Sequence, residues 1–307
     1  MSFARKVVLS LAANKAVRSL ASKYGLKLGA SRFIAGVTLE EAINRAKELN
    51  DQNIWVTLDH LGESVISKEE ALHATHIIIE TYEAISNAGL SKTNISVKLT
   101  QLGLDIDSSF CLENMRKIVA KAKSTDNFLR VDMEDTPRID STMGIFQSLL
   151  AEFGSATIGL VIQSYLYRSQ EDVERLGKQG VNLRIVKGAY KEPKEVAFPA
   201  KKDVDNHFIS LVKQHLKNGA YTAIATHDEN MIYPLLEWIK SQKIPDNLYE
   251  FQMLFGIRTD LVKKLVSEGY KVRVYTPFGK EWYPYFTRRL AERPANALFI
   301  IKNLFKN

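Results

Sequence analysis

Two ionisable side chains stand inside short apolar runs of the sequence. Lys98 interrupts the run Val97-Lys98-Leu99, and Asp132 lies in the apolar run 128–133. A buried lysine needs a partner. Asp132 is the expected one, because neighbouring parallel strands lie about 5 Å apart. The sequence therefore predicts a Lys98–Asp132 pair in a functional site. The alternative is a structural ion pair that lines the interior of the fold.

Polar side chains also close or follow the other apolar runs. They are Asp59, Glu134, Gln163, Arg184, Lys187, Thr226, His227, Gln252 and Tyr275. Polar residues at such positions often only cap the next helix. That interpretation suits Thr226 and His227 but explains Lys98 and Lys187 poorly. Either lysine could instead act as the Schiff-base amine of an aldolase or lyase.

A polar stripe at helical spacing lies near the end of the sequence. It consists of Tyr285, Arg288, Arg289 and Glu292. Positions i, i+3, i+4 and i+7 share one face of a helix. Two adjacent arginines suit a carboxylate, which arginine grips through paired N–H bonds, and Glu292 can hold one of them. The alternative is a solvated charged face.

The elements that must position these groups alternate along the chain. Eight short runs rich in Val, Ile and Leu predict strands at 53–58, 94–99, 128–133, 157–162, 182–186, 221–225, 248–253 and 271–275. Amphipathic stretches such as 68–87, 108–123, 201–217 and 231–241 predict helices. Eight alternations without a linker favour an α/β fold of the (βα)8 TIM-barrel type, with catalytic groups at the carboxyl ends of the strands. The competitor is a doubly wound open sheet, but no nucleotide-binding glycine motif occurs.

Composition excludes several functional classes. Cys111, at the start of a helical stretch, is the single cysteine, so the chain has no internal disulfide and no thiolate metal cluster. We expect a cytoplasmic location, because one unpaired cysteine fits a reducing compartment, and we expect no metal. No apolar run approaches the roughly 18 residues of a membrane span. Nucleic acid is not an expected partner, because no basic surplus remains outside the first 39 residues.

The first 40 residues differ in charge from the rest of the chain. Residues 1–39 contain seven basic side chains and no acid, which accounts for the net charge of +7. Phe3, Val7, Val8 and Leu11 lie at helical spacing within them. Such a segment can lie on an anionic membrane surface, serve as a transit peptide, or pack as an ordinary first helix. We therefore divide the chain into a basic helical arm, 1–40, and a catalytic domain, 41–307.

Seven stretches form a collinear set within residues 53–307. They read VKLT at 97–100, RVDME at 130–134, LRIVKGAY at 183–190, ATHD at 225–228, EFQMLFG at 250–256, VY at 274–275 and YPYFTRRL at 283–290. Together they resemble the proline dehydrogenase family, and the arginine pair in its setting is the most specific of them. The first 40 residues match nothing firmly.

This resemblance implies a distorted (βα)8 barrel whose last helix lies over the barrel mouth. Arg288 and Arg289 on that helix would bind the carboxylate of L-proline, with Lys98 as a third positive charge. Asp132 would pair with Lys98 and organise the polar end of the site. Arg184 would favour the anionic reduced ring of a flavin. Lys98, Asp132 and Arg184 are thus the expected catalytic residues.

The resemblance also implies the rest of the site. The apolar ring of proline would lie against Tyr190, Leu254 and Tyr275. Glu63 resembles the gate residue of the family, which pairs with Arg288 when the site closes. FAD would be held noncovalently along the strand ends by Met133, Gln163, Arg184, Lys187, Gly188, Ala189, Thr226, His227 and Glu292.

The implied reaction is the oxidation of L-proline to Δ1-pyrroline-5-carboxylate. Hydride would leave ring carbon 5 for the flavin N5 as the neutral amine supplies its lone pair. The electrons would pass to a membrane quinone, reached peripherally from the inner face of the membrane. A separate pyrroline-5-carboxylate dehydrogenase would complete the degradation of proline to glutamate. A noncatalytic membrane-binding scaffold is a further alternative, and it would bind no flavin.

Overall fold

Eight parallel strands close into a barrel in the computed structural model, which describes residues 30–62 and 64–292, with side chains for 31–62 and 64–287. The strands are β1 (Trp55–His60), β2 (Thr93–Val97), β3 (Leu129–Val131), β4 (Ile158–Gln163), β5 (Leu183–Val186), β6 (Thr222–Ala225), β7 (Tyr249–Leu254) and β8 (Val272–Phe278). Each strand pairs with the next, and β8 pairs with β1. The predicted TIM-type barrel is therefore confirmed, and the doubly wound alternative is wrong.

Helices alternate with these strands. The helix before β1 is α1 (Leu39–Asp51). The helices that follow β1 to β8 in turn are α2 (Lys68–Asn87), α3 (Ser108–Ser124), α4 (Ile139–Phe153), α5 (Ser169–Lys178), α6 (Lys201–Lys217), α7 (Glu229–Ser241), α8 (Thr259–Ser267) and α9 (Trp282–Glu292). The four predicted helices are α2, α3, α6 and α7, and their bounds agree within two residues.

The strands are buried on both faces, although only one face is apolar. Every residue of β2, β3 and β4 is buried. Val97 and Val131 belong to the main hydrophobic core. The residue before each of them, Ser96 in β2 and Arg130 in β3, is polar and also buried. Successive side chains of a strand point to opposite faces. The strands therefore pack their apolar side chains beneath the helices and direct polar ones into the barrel.

The final helix begins at the carboxyl end of the barrel. Trp282, Tyr283, Tyr285 and Phe286 of α9 form a second hydrophobic cluster with Phe33, Ile34, Leu61 and Ile257. Leu61 follows β1, and Ile257 follows β7, so this cluster lies where the strands end. The position agrees with a last helix over the barrel mouth.

The predicted basic arm is described only from residue 30 onwards, and residues 1–29 lie outside the described residues. The Ala35 N–H donates to the Pro277 carbonyl at 2.8 Å, and the Gly279 N–H donates to the Gly36 carbonyl at 3.0 Å. These bonds fix the segment before α1 against the end of β8. The division of the chain at residue 40 stays a prediction. No helix in the described ranges is both long and apolar enough to cross a bilayer.

Candidate active site

Five side chains from five strand ends meet inside the carboxyl end of the barrel. We name them the mouth cluster: Asp59, Lys98, Asp132, Arg184 and Tyr275. Asp59 lies in β1, Arg184 in β5 and Tyr275 in β8, while Lys98 and Asp132 directly follow β2 and β3. In barrels of this type the carboxyl end carries the active site.

Lys98 contacts three members of the mouth cluster. Its Nζ lies 3.3 Å from Asp59 Oδ2, 3.4 Å from the Tyr275 hydroxyl and 3.7 Å from Asp132 Oδ2. The predicted pair with Asp132 is thus present, but Asp59 is the nearer carboxylate. Asp59 also ends an apolar run, which is the signal that could have identified it.

Asp132 is held more tightly by two other residues. Its Oδ1 accepts a hydrogen bond from Arg184 Nη1, and its Oδ2 accepts one from the Tyr275 hydroxyl, both at 2.7 Å. The Arg184 guanidinium also lies 5.2 Å from the Tyr275 ring centroid. Its Nη2 donates to Ser96 Oγ at 3.0 Å, a contact that the sequence did not predict. Asp132 therefore fixes a cation and a phenol in one arrangement.

Burial controls the ionisation of two members of this cluster. Burial raises the pKa of Asp59 above its ordinary 3.8, Lys98 opposes that shift, and the Asp132 carboxylate adds to it. Burial, together with the carboxylates of Asp132 and Asp59, raises the pKa of Tyr275 well above 10. Tyr275 therefore remains a neutral phenol that can donate to Asp132. The cluster places the cations Lys98 and Arg184 at the barrel mouth, and cations of this kind suit a bound carboxylate.

Two polar atoms at neighbouring strand ends are buried and have no hydrogen-bond partner among the described residues. They are Gln163 Oε1 and Arg184 Nε. The Gln163 amide nitrogen lies 3.3 Å from the Met133 carbonyl and donates to it, so the oxygen is the group left over. An unpaired buried polar group has a cost that a ligand can remove. These atoms fit a polar ring cofactor.

The exit of β5 combines a lysine with a glycine that no other residue can replace without strain. Lys187 Nζ lies 2.6 Å from Asp205 Oδ1 and 4.0 Å from Asp228 Oδ2. Gly188 has a φ of 115°, and a Cβ there would lie 2.1 Å from the Tyr165 ring. Residues 188–190 are exposed. The exposed backbone of Gly188 and Ala189 can therefore be approached closely by a cofactor.

Thr226 and His227 have structural partners at the exit of β6. Thr226 Oγ1 accepts a hydrogen bond from the Asp228 N–H at 3.2 Å, which turns the chain into α7. His227 Nε2 accepts one from the Leu254 N–H at 2.9 Å and so joins the ends of β6 and β7. These contacts account for both residues without a ligand, and their predicted contact with FAD stays a prediction.

The structure describes the surroundings of only some of the predicted substrate-binding residues. Leu254 pairs in register with Tyr275, beside the mouth cluster. Tyr190 lies after β5 and is 37% exposed. Glu63 lies outside the described residues, and so do the side chains of Arg288, Arg289 and Glu292, whose backbone belongs to α9.

A second group of charged residues fills the amino end of the barrel. We name it the floor cluster: Arg130, Glu250, Gln252, Lys271 and Arg273. Glu250 Oε1 accepts hydrogen bonds from Gln252 Nε2 at 2.6 Å and Arg273 Nε at 2.8 Å, and Lys271 Nζ lies 3.5 Å from Oε2. Arg130 Nη1 donates to the carbonyls of Leu160 and Asn182. Because its contacts are to other parts of the barrel, this cluster is structural.

Comparison with known proteins gives concordant matches. A family model described as Proline dehydrogenase matches residues 42–302. Proline dehydrogenase 1 of Bacillus subtilis subsp. natto is 43% identical over 98% of this chain and 99% of its own length. Proline dehydrogenase of Deinococcus radiodurans is 44% identical over 98% of both chains. The crystal structure of proline utilization A from Bdellovibrio bacteriovorus, inactivated by N-propargylglycine, has a TM-score of 0.81 at 26% identity, over 89% of this chain and 34% of that one.

Proposed function

The chain belongs to the proline dehydrogenase family, and we propose that it oxidises L-proline to Δ1-pyrroline-5-carboxylate with noncovalently bound FAD and a quinone as electron acceptor. Proline oxidation is the first step of proline degradation. The observation that carries the finer proposal is the mouth cluster, which holds Lys98 and Arg184 against two carboxylates where barrel enzymes keep their active sites. The aldolase, lyase and scaffold alternatives are wrong, because the family is one of dehydrogenases.

The substrate carboxylate is recognised by charge. Lys98 offers one cation at the mouth, and Arg288 and Arg289 on α9 would add two. Asp59 and Asp132 hold the Lys98 ammonium from two sides, which keeps it at the mouth instead of in solvent. The arginines would supply the paired N–H geometry that a lysine cannot.

The proline ring would lie against an apolar wall. Leu254 and Tyr275 are register partners in β7 and β8, and Tyr190 would close the site from the β5 side. Asp132 fixes the Tyr275 hydroxyl at 2.7 Å and so sets the angle of that ring. Asp132 thus acts by holding Tyr275, Arg184 and Lys98 in one geometry.

The exits of β3 to β6 would hold FAD. Gln163 Oε1 and Arg184 Nε, which are buried and have no hydrogen-bond partner in the part of the chain that the structure describes, support this placement, as does the exposed turn at Gly188. The remaining proposed contacts are Met133, Lys187, Ala189, Thr226, His227 and Glu292. FAD held there would supply the acceptor for the hydride that proline loses. The chain itself positions ring carbon 5, and the amine must arrive neutral because its lone pair drives the loss of hydride.

Electrons must leave the reduced enzyme to a second substrate. We propose a membrane quinone, because the sequence contains no nucleotide-binding glycine motif for a soluble nicotinamide acceptor. The seven basic residues within 1–39 support contact with the inner face of an anionic membrane. The product would pass to a separate pyrroline-5-carboxylate dehydrogenase.

An absorbance spectrum tests this function directly. The purified protein should be yellow, and anaerobic L-proline should bleach the flavin band, while D-proline serves as the control. Acid precipitation should release the colour into the supernatant, because the link is noncovalent. A colourless protein, or a flavin band that L-proline leaves unchanged, would contradict the proposal. N-propargylglycine, which inactivates proline utilization A from Bdellovibrio bacteriovorus, should also inactivate this enzyme.

Conservative substitution tests the carboxylate site. Arg288→Lys and Arg289→Lys should each raise the KM for proline roughly tenfold to hundredfold, because one charged hydrogen bond contributes about 1.5–3 kcal/mol. Flavin content should stay near that of the unmodified protein. An unchanged KM would remove these residues from the site.

A further inference from the structure

A second hydrogen-bonded rung lies directly beyond the Lys98–Asp132 pair. Thr100 follows Lys98 by two residues, and Glu134 follows Asp132 by two. The Thr100 N–H donates to Glu134 Oε1 at 3.1 Å, and the Thr100 hydroxyl donates to Glu134 Oε2 at 2.7 Å. Thr100 is 1% exposed and Glu134 5%. The ends of β2 and β3 are therefore joined twice, once through the mouth cluster and once above it.

This rung also receives the segment that leaves β1. We call that segment, with described residues 61, 62 and 64–67, the β1 exit segment. The Ser64 N–H donates to Thr100 Oγ1 at 3.2 Å, and the Val65 N–H lies 3.3 Å from the Thr100 carbonyl and donates to it. Gln101 Nε2 donates to the His60 carbonyl at 3.0 Å, just before the segment begins. The turn that contains Thr100 and Gln101 thus anchors both the start and the middle of the β1 exit segment.

The β1 exit segment carries backbone strain at the point where it is anchored. Ser64 has a φ of 56°, in the left-handed region that residues other than glycine rarely adopt. At Gly62 a Cβ would lie 2.8 Å from Gln101 Nε2. Strained residues of this kind persist only where the surrounding structure holds them, and they are concentrated at functional sites. Here the holding contacts come from Thr100 and Gln101.

The segment lies between the mouth cluster and the final helix. The Leu61 N–H donates to the Phe278 carbonyl at 2.8 Å, and Leu61 packs with Trp282 and Phe286 of α9. Asp59 of the mouth cluster precedes Leu61 by two residues. The Gln101 N–H donates to the Lys98 carbonyl at 3.2 Å, so the same turn is tied to Lys98.

We propose that Thr100 and Glu134 are positioning residues for substrate binding, which hold the β1 exit segment at the barrel mouth and fix the strand ends that carry Lys98 and Asp132. Neither residue needs to touch the substrate. Glu134 orients the Thr100 hydroxyl and N–H, and the oriented oxygen then accepts the Ser64 N–H. The inference rests on the proposed function, because the ligand whose binding is improved is L-proline.

Three variants test the proposal. Thr100→Val removes the hydroxyl with little change in volume, and Thr100→Ser restores it. Thr81→Val is the matched control. Thr81 is equally buried, and the hydrogen bond that its hydroxyl makes to the described residues is donated to the Ile77 carbonyl within α2. Hydrogen–deuterium exchange of a peptide covering 61–67 reports on the segment without any turnover. Steady-state kinetics with an artificial dye reports on proline binding.

We expect Thr100→Val to speed exchange of the segment and to raise the KM for proline, each by about threefold to tenfold, because the hydroxyl donates one hydrogen bond to Glu134 and accepts one from Ser64. The kcat should change less, and Thr100→Ser and Thr81→Val should match the unmodified protein. If Thr100→Val does not fold, Glu134→Gln should show the same pattern.

The outcomes separate this inference from the proposed function. Unchanged exchange in Thr100→Val, or equal impairment in Thr100→Ser, would overturn the positioning role even in an active enzyme. Faster exchange with an unchanged KM would also overturn it, because the segment would then not serve binding. If the unmodified protein does not oxidise proline, the proposed function fails, while the exchange data still show whether Thr100 anchors the segment.

Discussion

The two ends of the barrel interior hold their buried carboxylates in opposite ways. At the floor, Glu250 receives two hydrogen bonds to one oxygen, at 2.6 and 2.8 Å, with Lys271 beside the other. At the mouth, Asp59 has Lys98 at 3.3 Å and a second carboxylate nearby. Burial alone would raise the pKa of either group. At Glu250 the charges of Arg273 and Lys271 outweigh burial and lower the pKa to about 2, whereas the pKa of Asp59 is raised.

The difference distinguishes charges that stabilise the fold from charges that await a ligand. The floor cluster holds Glu250 Oε1 with two short hydrogen bonds from its own barrel. The mouth cluster has longer contacts around Lys98, which lies 3.3 Å from Asp59 and 3.7 Å from Asp132. Buried polar atoms without a hydrogen-bond partner among the described residues occur at both ends, so the contrast lies in these distances and in the pKa directions.

Removing the floor carboxylate should give the largest effect on stability. Glu250→Ala leaves Arg273 as an uncompensated buried charge and removes the carboxylate beside the half-buried Lys271, so the free energy of unfolding should fall by about 3–5 kcal/mol. Urea denaturation followed by circular dichroism measures this. The KM for proline in the protein that remains folded should be nearly unchanged. A small loss of stability together with a large rise in KM would reverse the roles assigned to the two clusters.

The free energy of unfolding should depend on pH in opposite directions through Glu250 and through Asp59. A lowered pKa means that Glu250 stabilises the fold above its ordinary pKa of 4.5 and that this contribution is lost as the pH falls towards about 2. Its full size is on the order of 3 kcal/mol. The stability difference between the unmodified protein and Glu250→Gln should therefore shrink from pH 5 to pH 2.5, as measured by urea denaturation at each pH.

Asp59 supplies the contrasting test. Its raised pKa means that the folded state favours the protonated carboxyl more than the unfolded state does. The stabilisation from this difference is therefore present below pH 3.8 and is lost as the pH rises through the pKa of Asp59 in the folded protein. Asp59→Asn should thus become more stable relative to the unmodified protein as the pH rises. Parallel pH profiles for the Asp59 and Glu250 variants would show that the two ends do not differ.

Disrupting the mouth should lower turnover, which the floor substitution leaves nearly unchanged in the protein that remains folded. Asp132→Ala removes the acceptor of the Arg184 and Tyr275 bonds, so turnover with a dye should fall roughly tenfold to hundredfold, the effect of about 1.5–3 kcal/mol. Tyr275→Phe removes only one of these bonds and should cost less. Wild-type turnover in Asp132→Ala would show that this carboxylate does not organise the site.

The sequence predicts the strands well because each is a short run rich in apolar residues between polar segments. It predicts α2, α3 and α7, whose first turns are capped by Ser67, Asp107 and Asp228. It also predicts α6, whose N-cap residue makes no side-chain bond, and it does not single out α1, which begins with a capping box. A side-chain cap therefore does not by itself decide which helices can be found, and the amphipathic pattern carries the prediction.

The site is predictable in its residues but not in all of its pairs. Lys98, Asp132, Arg184 and Tyr275 can be found because each interrupts or ends an apolar run. The nearer partner of Lys98 could not be chosen, because both β1 and β3 lie beside β2 and the sequence does not say which carboxylate is closer. Gln252 resembles a site residue in the sequence, yet the structure places it on Glu250 at the floor.

The smallest expected effect concerns the arm, whose described end reaches the mouth and not the floor. Phe33 and Ile34 are buried against α9, so a useful deletion removes residues 2–29 and keeps them. Dye reduction by proline should then change by less than about twofold, a difference of roughly 0.5 kcal/mol or less, because the described contacts of the mouth stay in place.

Binding to anionic liposomes should respond differently in the same truncated protein. The deletion removes six of the seven basic residues in 1–39, and each contributes up to about 1 kcal/mol near an anionic surface. Liposome binding and reduction of liposome-embedded quinone should therefore weaken, and added salt should abolish the difference between the two proteins. A large fall in Tm with unchanged liposome binding would instead make the arm part of the packing at the mouth. The mouth would then depend on the arm for its stability, as the floor depends on Glu250.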